Sequence, residues 1–132
     1  MDALYKKFIF QIIASLTTLR TALLLCIFTI TIIIILMPQF LILADDYKDP
    51  DALSRRLSVR EAHLQRMREE RAKGNFIIGG AKLNEYDNMH GSMLVVQLQN
   101  EDEVKKWVEE DPYITGKVWE KIEIFSFRIA DV

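Results

Sequence analysis

Residues 32–47 read IIIILMPQFLILADDY, and where this stretch is cut decides the fold. An uncharged run of 24 residues extends from Thr21 to Ala44, long enough for a helix to span a bilayer. Pro38 interrupts it. Proline has no backbone donor and drives the residue before it, here Met37, toward extended geometry, so an unbroken helix through this point is unfavourable. The segment after it, QFLILA (39–44), has the length of a strand and stops at the polar turn DDYKDPD (45–51). A membrane helix would therefore end near Leu36, two residues before a strand, with no linker between bilayer and sheet.

Two readings of residues 1–36, the hydrophobic leader, stand. In one, the apolar residues 8–36 anchor a single-pass membrane protein. Lys6, Lys7 and Arg20 on one side and Asp45 and Asp46 on the other then put the N-terminus on the cytoplasmic side. In the other, Met37 is the natural first residue, residues 1–36 are an artefact of the gene model, and the protein is cytoplasmic. A cleaved signal peptide fits less well, because no A-x-A pattern follows the apolar core. A mitochondrial leader fits worse still, with a single Arg before residue 55.

The chain of 132 residues allows one ordinary domain plus a short extension. Its net charge of −2 hides an asymmetry: residues 1–36 carry +2 and residues 37–132 carry −4. An acidic folded part argues against nucleic-acid binding, which needs a basic face. The only cysteine, Cys26, excludes an intrachain disulfide framework.

Past the first strand, Asp49-Pro50 predicts a short helical turn over 51–56. Ser58 and Glu61 then form a capping box that opens a separate helix from Val59 to about Lys73. Gly74 supplies its left-handed stop. Val59, Ala62, His63 and Met67 fall on one helical stripe, the expected buried side. NFIIGGA (75–81) reads as a second strand, in which Gly79 and Gly80 predict a bulge or the close approach of another backbone or a ligand. LNEYDNMHG (83–91) reads as a long polar connection, and SMLVVQL (92–98) as a central strand. Asn100 with Glu103 caps a short helix bearing Val104, Trp107 and Val108, and Pro112 ends it. PYITG (112–116) reads as a turn. Residues 117–130 form a last strand with Trp119, Phe125 and Phe127 on one side and Val118, Ile122 and Ile124 on the other.

The order β-α-β-β-α-β is that of an α+β, ferredoxin-like fold: an antiparallel sheet with two helices on one face, preceded by the hydrophobic N-terminal helix. A sheet covered on one side leaves the other to be buried. In a domain of this size, stacking two sheets in a homodimer would supply the missing burial.

Through LSVREAHLQRM (57–67) and the segments around it, the region from about Gln39 to Phe127 resembles the YciI-like (YCII-related) family. The R-x-x-H-L stretch (Arg60–Leu64), the Gly-rich strand (Gly79–Gly80), the Gly-started strand at Gly91 and the D-P-Y of Asp111–Tyr113 carry the resemblance. It implies a dimeric α+β barrel and a cleft with a His–Asp pair proposed as catalytic. It also matches PQFLILA to the first strand, so cleavage after Ala44 would destroy the sheet. Ala81 stands where the family often has Pro, and residues 83–90 lack the usual Asp-Gly turn.

Among candidate site residues, His63 can act as general acid or base; its alternative is a structural histidine bonded to a backbone carbonyl. Asp111 can orient it, or simply end a helix before Pro112, and Asp87 is the other possible partner. The D-P-Y match favours Asp111. Arg60, one turn from His63, can clamp a substrate carboxylate or form a plain salt bridge. Tyr113 can close the pocket or pack at a dimer interface. Gly79 and Gly80 can admit a ligand to the strand backbone. His90 reads as a solvated turn residue. Two separated histidines and no partnering cysteine predict no metal site, and no cofactor motif is present. Three functions compete: a small enzyme using His63–Asp111 for hydrolysis or isomerisation of a small anionic or aromatic compound, a non-catalytic ligand-binding dimer, and a membrane-tethered adaptor.

Overall fold

The computed structural model describes residues 3–132; Asp2, which entered the charge count, lies outside them. The chain divides into two compact units, Met1–Leu36 and Met37–Val132.

In the first unit a single helix, α1, runs over Ala3–Leu36. At 34 residues it is about 51 Å long, more than the hydrocarbon core of a bilayer. Lys7–Ile32 is long and apolar enough to cross a membrane, a property shared by signal sequences near an N-terminus. Its threonines do not break the apolar character, because their hydroxyls donate within the helix: Thr18 Oγ1 to the Ala14 carbonyl at 2.8 Å, and Thr31 Oγ1 to that of Ile27 at 2.8 Å.

The second unit starts with β1 (Gln39–Asp46), directly after the break at Pro38. It continues with α2 (Ala52–Ala72), β2 (Phe76–Leu83), β3 (Met89–Gln97), α3 (Glu101–Glu109), the one-turn α4 (Pro112–Thr115) and β4 (Trp119–Phe127). The four strands form one antiparallel sheet in the order β2-β3-β1-β4. Strand β1 is central, with Ile42 opposite Leu94 of β3 and Ile124 of β4. Phe40, Ile42, Ala44, Leu94 and Val96 pack with Met67 of α2 and Val104, Trp107 and Val108 of α3 in one core, so the helices cover one face. This is the α+β, ferredoxin-like arrangement expected from the sequence.

Several local expectations are corrected. Residues 51–56 and 59–73 form one continuous helix, not two. Ser58 does not cap it; its hydroxyl donates back to the Arg55 carbonyl at 2.7 Å, the usual fate of a mid-helix serine. The entry is held by Asp49, whose carboxylate accepts from the Asp51 amide and binds Arg55 through both oxygens. Ala62 is exposed; the buried positions of α2 are Ala52, Arg56, His63, Met67 and Glu70. The end of α2 is as expected: Gly74 sits at φ +83°, with its amide on the Arg71 carbonyl and that of Asn75 on Glu70.

The polar connection shrinks to a turn at 84–88, because β3 begins at Met89 rather than Ser92. PYIT is a short helix rather than a turn. The irregularities in β2 fall between Phe76 and Ile78 and between Lys82 and Leu83, not at the glycines. Gly79 marks a close approach instead: a Cβ there would lie 2.9 Å from the Met93 carbonyl oxygen and 3.0 Å from the Phe76 ring. In β4 the pairing with β1 skips a residue between Lys121 and Trp119. That bulge turns Trp119 away from the side of Phe125 and Phe127 and into the core with Val118.

At its C-terminal end α2 is tied to α3 through Glu70. Its carboxylate accepts from Trp107 Nε1 at 2.8 Å, from Asn75 Nδ2 at 2.8 Å and from Lys73 Nζ at 2.7 Å. Burial alone would raise the Glu70 carboxyl, but the three donors outweigh it and hold it below the ordinary value. A lowered carboxyl contributes stability above its unfolded-state value, and that contribution is lost as pH falls through the folded-state value. Glu70→Gln should therefore lose about 1–3 kcal/mol at neutral pH, with the gap to the parent closing as acid is added. Denaturation at pH 7 and pH 3 checks this, and an equal gap at both would refute it. The central place of β1 gives a second expectation. A chain beginning at Asp45 should show no cooperative thermal transition, because β3 and β4 lose the strand that joins them.

Candidate functional site

A cleft of about 350 Å³ lies between α2 and the β2–β3 side of the sheet. Its wall includes Arg60, His63, Gly79, Gly80 and Tyr113, all singled out from sequence. Asp111 lies behind His63 and is fully buried.

His63 is placed by the buried side of α2, and Asp111 by the junction of α3 and α4. Nδ1 of His63 lies 2.9 Å from Asp111 Oδ1. The same oxygen accepts from the Tyr113 amide at 2.9 Å, so Asp111 also caps α4. Its other oxygen accepts from Arg66 Nη1 at 3.1 Å, while Arg66 Nη2 donates to the Trp107 carbonyl at 2.7 Å. With Nδ1 committed to Asp111, Nε2 makes no hydrogen bond among the described residues, and His63 lines the cleft. A hydrogen-bonded carboxylate at Nδ1 favours the tautomer with the proton there, which leaves Nε2 free to accept one.

Tyr113 stacks on the imidazole, with centroids 4.0 Å apart and planes at 14°, and Trp119 closes on both rings edge-on. Tyr113 is thus buried within the single chain, which leaves it no surface to pack at a dimer interface. Burial pushes its hydroxyl above the ordinary tyrosine value, against the opposing charges of Arg56 and Arg60. Arg56 sits over the Tyr113 ring at 4.6 Å. It pairs with Asp46 at 2.7 and 2.8 Å and donates to Ser92 Oγ at 2.9 Å, which also accepts from Trp119 Nε1 at 3.2 Å. Burial pushes the Asp46 carboxyl up, and the Arg56 charge opposes that push.

The two alternatives for other residues resolve differently. Arg60 makes no hydrogen bond or ion pair among the described residues, so the plain salt bridge is not formed. Asp87 is exposed in the 84–88 turn at φ 59°, and the carboxylate on His63 is that of Asp111; His90 is exposed on β3. By register Gly79 lies opposite Leu94 and so shares the helix side of the sheet, whereas Gly80 lies opposite Met93. No group of three metal-ligating side chains occurs among the described residues.

Sequence reasoning missed Arg56, Asp46 and Arg66. Arg66 carried a usable signal, being one turn past His63 and hence on a neighbouring stripe. Asp46 and Arg56 carried none, since a charged residue in an isolated sequence reads as solvated.

Residues 39–128 match the profile of a family described as the YCII-related domain. An uncharacterized protein of Haemophilus influenzae is 28% identical over 95 residues, which covers 67% of this chain and 95% of that protein. The protein YciI of Escherichia coli O6:H1 is 27% identical over 84 residues, covering 59% and 86% respectively. Among solved structures, the 5-chloro-2-hydroxyhydroquinone dehydrochlorinase TftG from Burkholderia phenoliruptrix AC1100, in complex with 2,5-dihydroxybenzoquinone, matches with a TM-score of 0.60 at 26% identity. That match covers 70% of this chain and 95% of TftG.

The triple role of Asp111 sets an expectation for stability. Asp111→Ala should cost about 3–5 kcal/mol, because it strands Arg66 and uncaps α4. Asp111→Asn, which can still accept from the Tyr113 amide, should cost about 1–3 kcal/mol. Asp87→Asn should be silent. Chemical denaturation of the three variants checks the order, and a costly Asp87→Asn beside a silent Asp111→Ala would reverse the assignment.

Proposed function

The chain belongs to the YCII-related domain family, and on that premise we propose that its cleft is the site of a small enzyme using His63 and Asp111 for acid–base chemistry. The observation that carries this reading is the 2.9 Å bond between Nδ1 and a fully buried carboxylate, on a histidine whose Nε2 is left for the cleft. Nε2 takes a proton from the bound compound or from a water beside it. Asp111 holds the ring and stabilises the imidazolium that results. Return of the proton to a different atom of the compound gives isomerisation. In hydrolysis the proton comes from a water whose oxygen adds to the compound; the bond to the leaving group breaks and that group takes the proton from Nε2. The likeness to TftG supports a small hydroxylated ring as the substrate class, since that protein is named for the removal of hydrogen chloride from such a compound. Arg60, with no carboxylate partner among the described residues, is the residue that would grip an anionic oxygen of the substrate, with Gly79 and Gly80 in the wall across from it.

A second reading, ligand binding without turnover, draws on the bonds Asp111 makes to Arg66 and the Tyr113 amide. A purely structural carboxylate needs the same partners. His63→Gln separates the two, because Gln keeps one hydrogen bond and is a good helix former. Under the enzymatic reading it removes turnover of a screened substrate and leaves the melting curve within a few degrees of the parent. A fall in melting temperature with turnover intact would refute that reading.

The proposal includes a homodimer. Leu41, Leu43, Ile78, Met93, Phe125 and Phe127 lie on the sheet face opposite the helices, where Ile78 and Phe125 are about half exposed. A second copy stacked there would bury them. A chain beginning at Met37 should elute as a soluble particle of twice the chain mass by light scattering, and Leu43→Glu should halve it. A monomeric parent would refute the dimer.

A further inference from the structure

Arginine is distributed along the cleft in a pattern that the His63–Asp111 pair does not use. Four line it, all on α2: Arg56 and Arg60 at a four-residue spacing, and Arg68 and Arg71 at three. His63 lies between the two pairs, with Leu64 and Met67 beside it in the wall. None of the described lining residues is acidic. The acids closest behind the wall are already engaged, Asp46 by Arg56 and Asp111 by His63 and Arg66.

The charge left over sits at both ends. At one end Arg60 has no acidic partner among the described residues, and Arg56, 2% exposed, has a buried Nε without an acceptor. Arg56 is already bound by Asp46 and its Nε is shielded from the cleft, so the unmatched cation at this end is Arg60. At the other end Arg71 donates, among the described residues, only to a neutral acceptor, the Ile77 carbonyl at 3.1 Å, and lies over the Phe76 ring at 5.3 Å. Arg68 beside it is partly neutralised by Glu61. Arg60 and Arg71 are eleven residues apart, about 16 Å of helix rise. Between the ends the wall is apolar, with Leu64, Met67, Phe76 and Leu94.

We propose that the cleft takes a dianion: a compound with two anionic groups at opposite ends of a flat apolar body, one met by Arg60 and the other by Arg71 with Arg68. This deepens the reading of the cleft as the ligand site and rests on it, but it concerns binding and not the chemistry at Nε2. A ligand with one anionic group would leave the arginine at one end unmatched.

The test uses the full chain in a neutral detergent, with terephthalate and naphthalene-2,6-dicarboxylate as dianions, and benzoate and 2-naphthoate as matched monoanions. Calorimetry should give an affinity about 10-fold or more higher for each dianion than for its monoanion. Arg60→Gln and Arg71→Gln should each bring the dianion down to the monoanion level, and Arg71→Lys should retain part of the preference. His63→Gln should keep the preference in full, because neither charged end depends on it. Equal affinity for dianion and monoanion, or a preference that survives both arginine changes, would overturn the inference. Either result alongside His63-dependent turnover would sink the dianion and leave the acid–base reading standing. Intact preference in a protein with no His63-dependent turnover would do the reverse.

Discussion

A fully buried carboxylate must be paired, and the requirements of Asp111 organise the region around the cleft. Its oxygens take donors from the middle of α2, from Arg66 one turn further on, and from the first turn of α4. Those bonds fix the α3–α4 corner against the long helix. They also decide which imidazole nitrogen faces the cleft and set Tyr113 as the floor beneath it. Loss of any one donor leaves charge in a place water cannot easily reach.

The same solution recurs along α2. Arg56, His63 and Glu70 are all buried, seven residues apart, and each meets a partner from another part of the chain: Asp46 on β1, Asp111 before α4, and Trp107 on α3. A seven-residue interval returns to nearly the same side of a helix, so these side chains form one polar seam. Beside it Met67 supplies the apolar contact with the core. The helix is therefore docked by matched polar groups as much as by hydrophobic burial. Polar groups in such a seam fix direction as well as contact, which suits a helix that must present one nitrogen atom at a defined point.

The sheet was legible in the sequence because its signals are local and strong: a proline break before QFLILA, alternating apolar runs, and glycine at the helix stop. The His–Asp pairing was legible only through the family resemblance, since 48 residues separate the partners and nothing in their spacing links them. The capping box at Ser58 misled because a serine three residues before a glutamate also occurs inside a continuous helix, where the hydroxyl has a carbonyl to donate to. Ala62 misled for a related reason. Apolar periodicity places the buried stripe by hydrophobicity, and the true stripe of α2 contains arginine and glutamate. The bulge in β4 was invisible, because one extra residue in a strand leaves its composition unchanged and reverses the side on which Trp119 lies.

The polar seam of α2 also constrains how this sequence can change over time. A hydrophobic contact tolerates gradual exchange among residues of similar volume. A buried donor and its acceptor do not, since altering either alone leaves the other stranded, and the pair behaves as a coupled unit. Positions 46 and 56, and 63 and 111, are each held by their partners, while the exposed positions of the same helix that lie outside the cleft are free to drift. Across descendants of this chain, substitutions on α2 would accumulate on the solvent side and remain correlated along the seam.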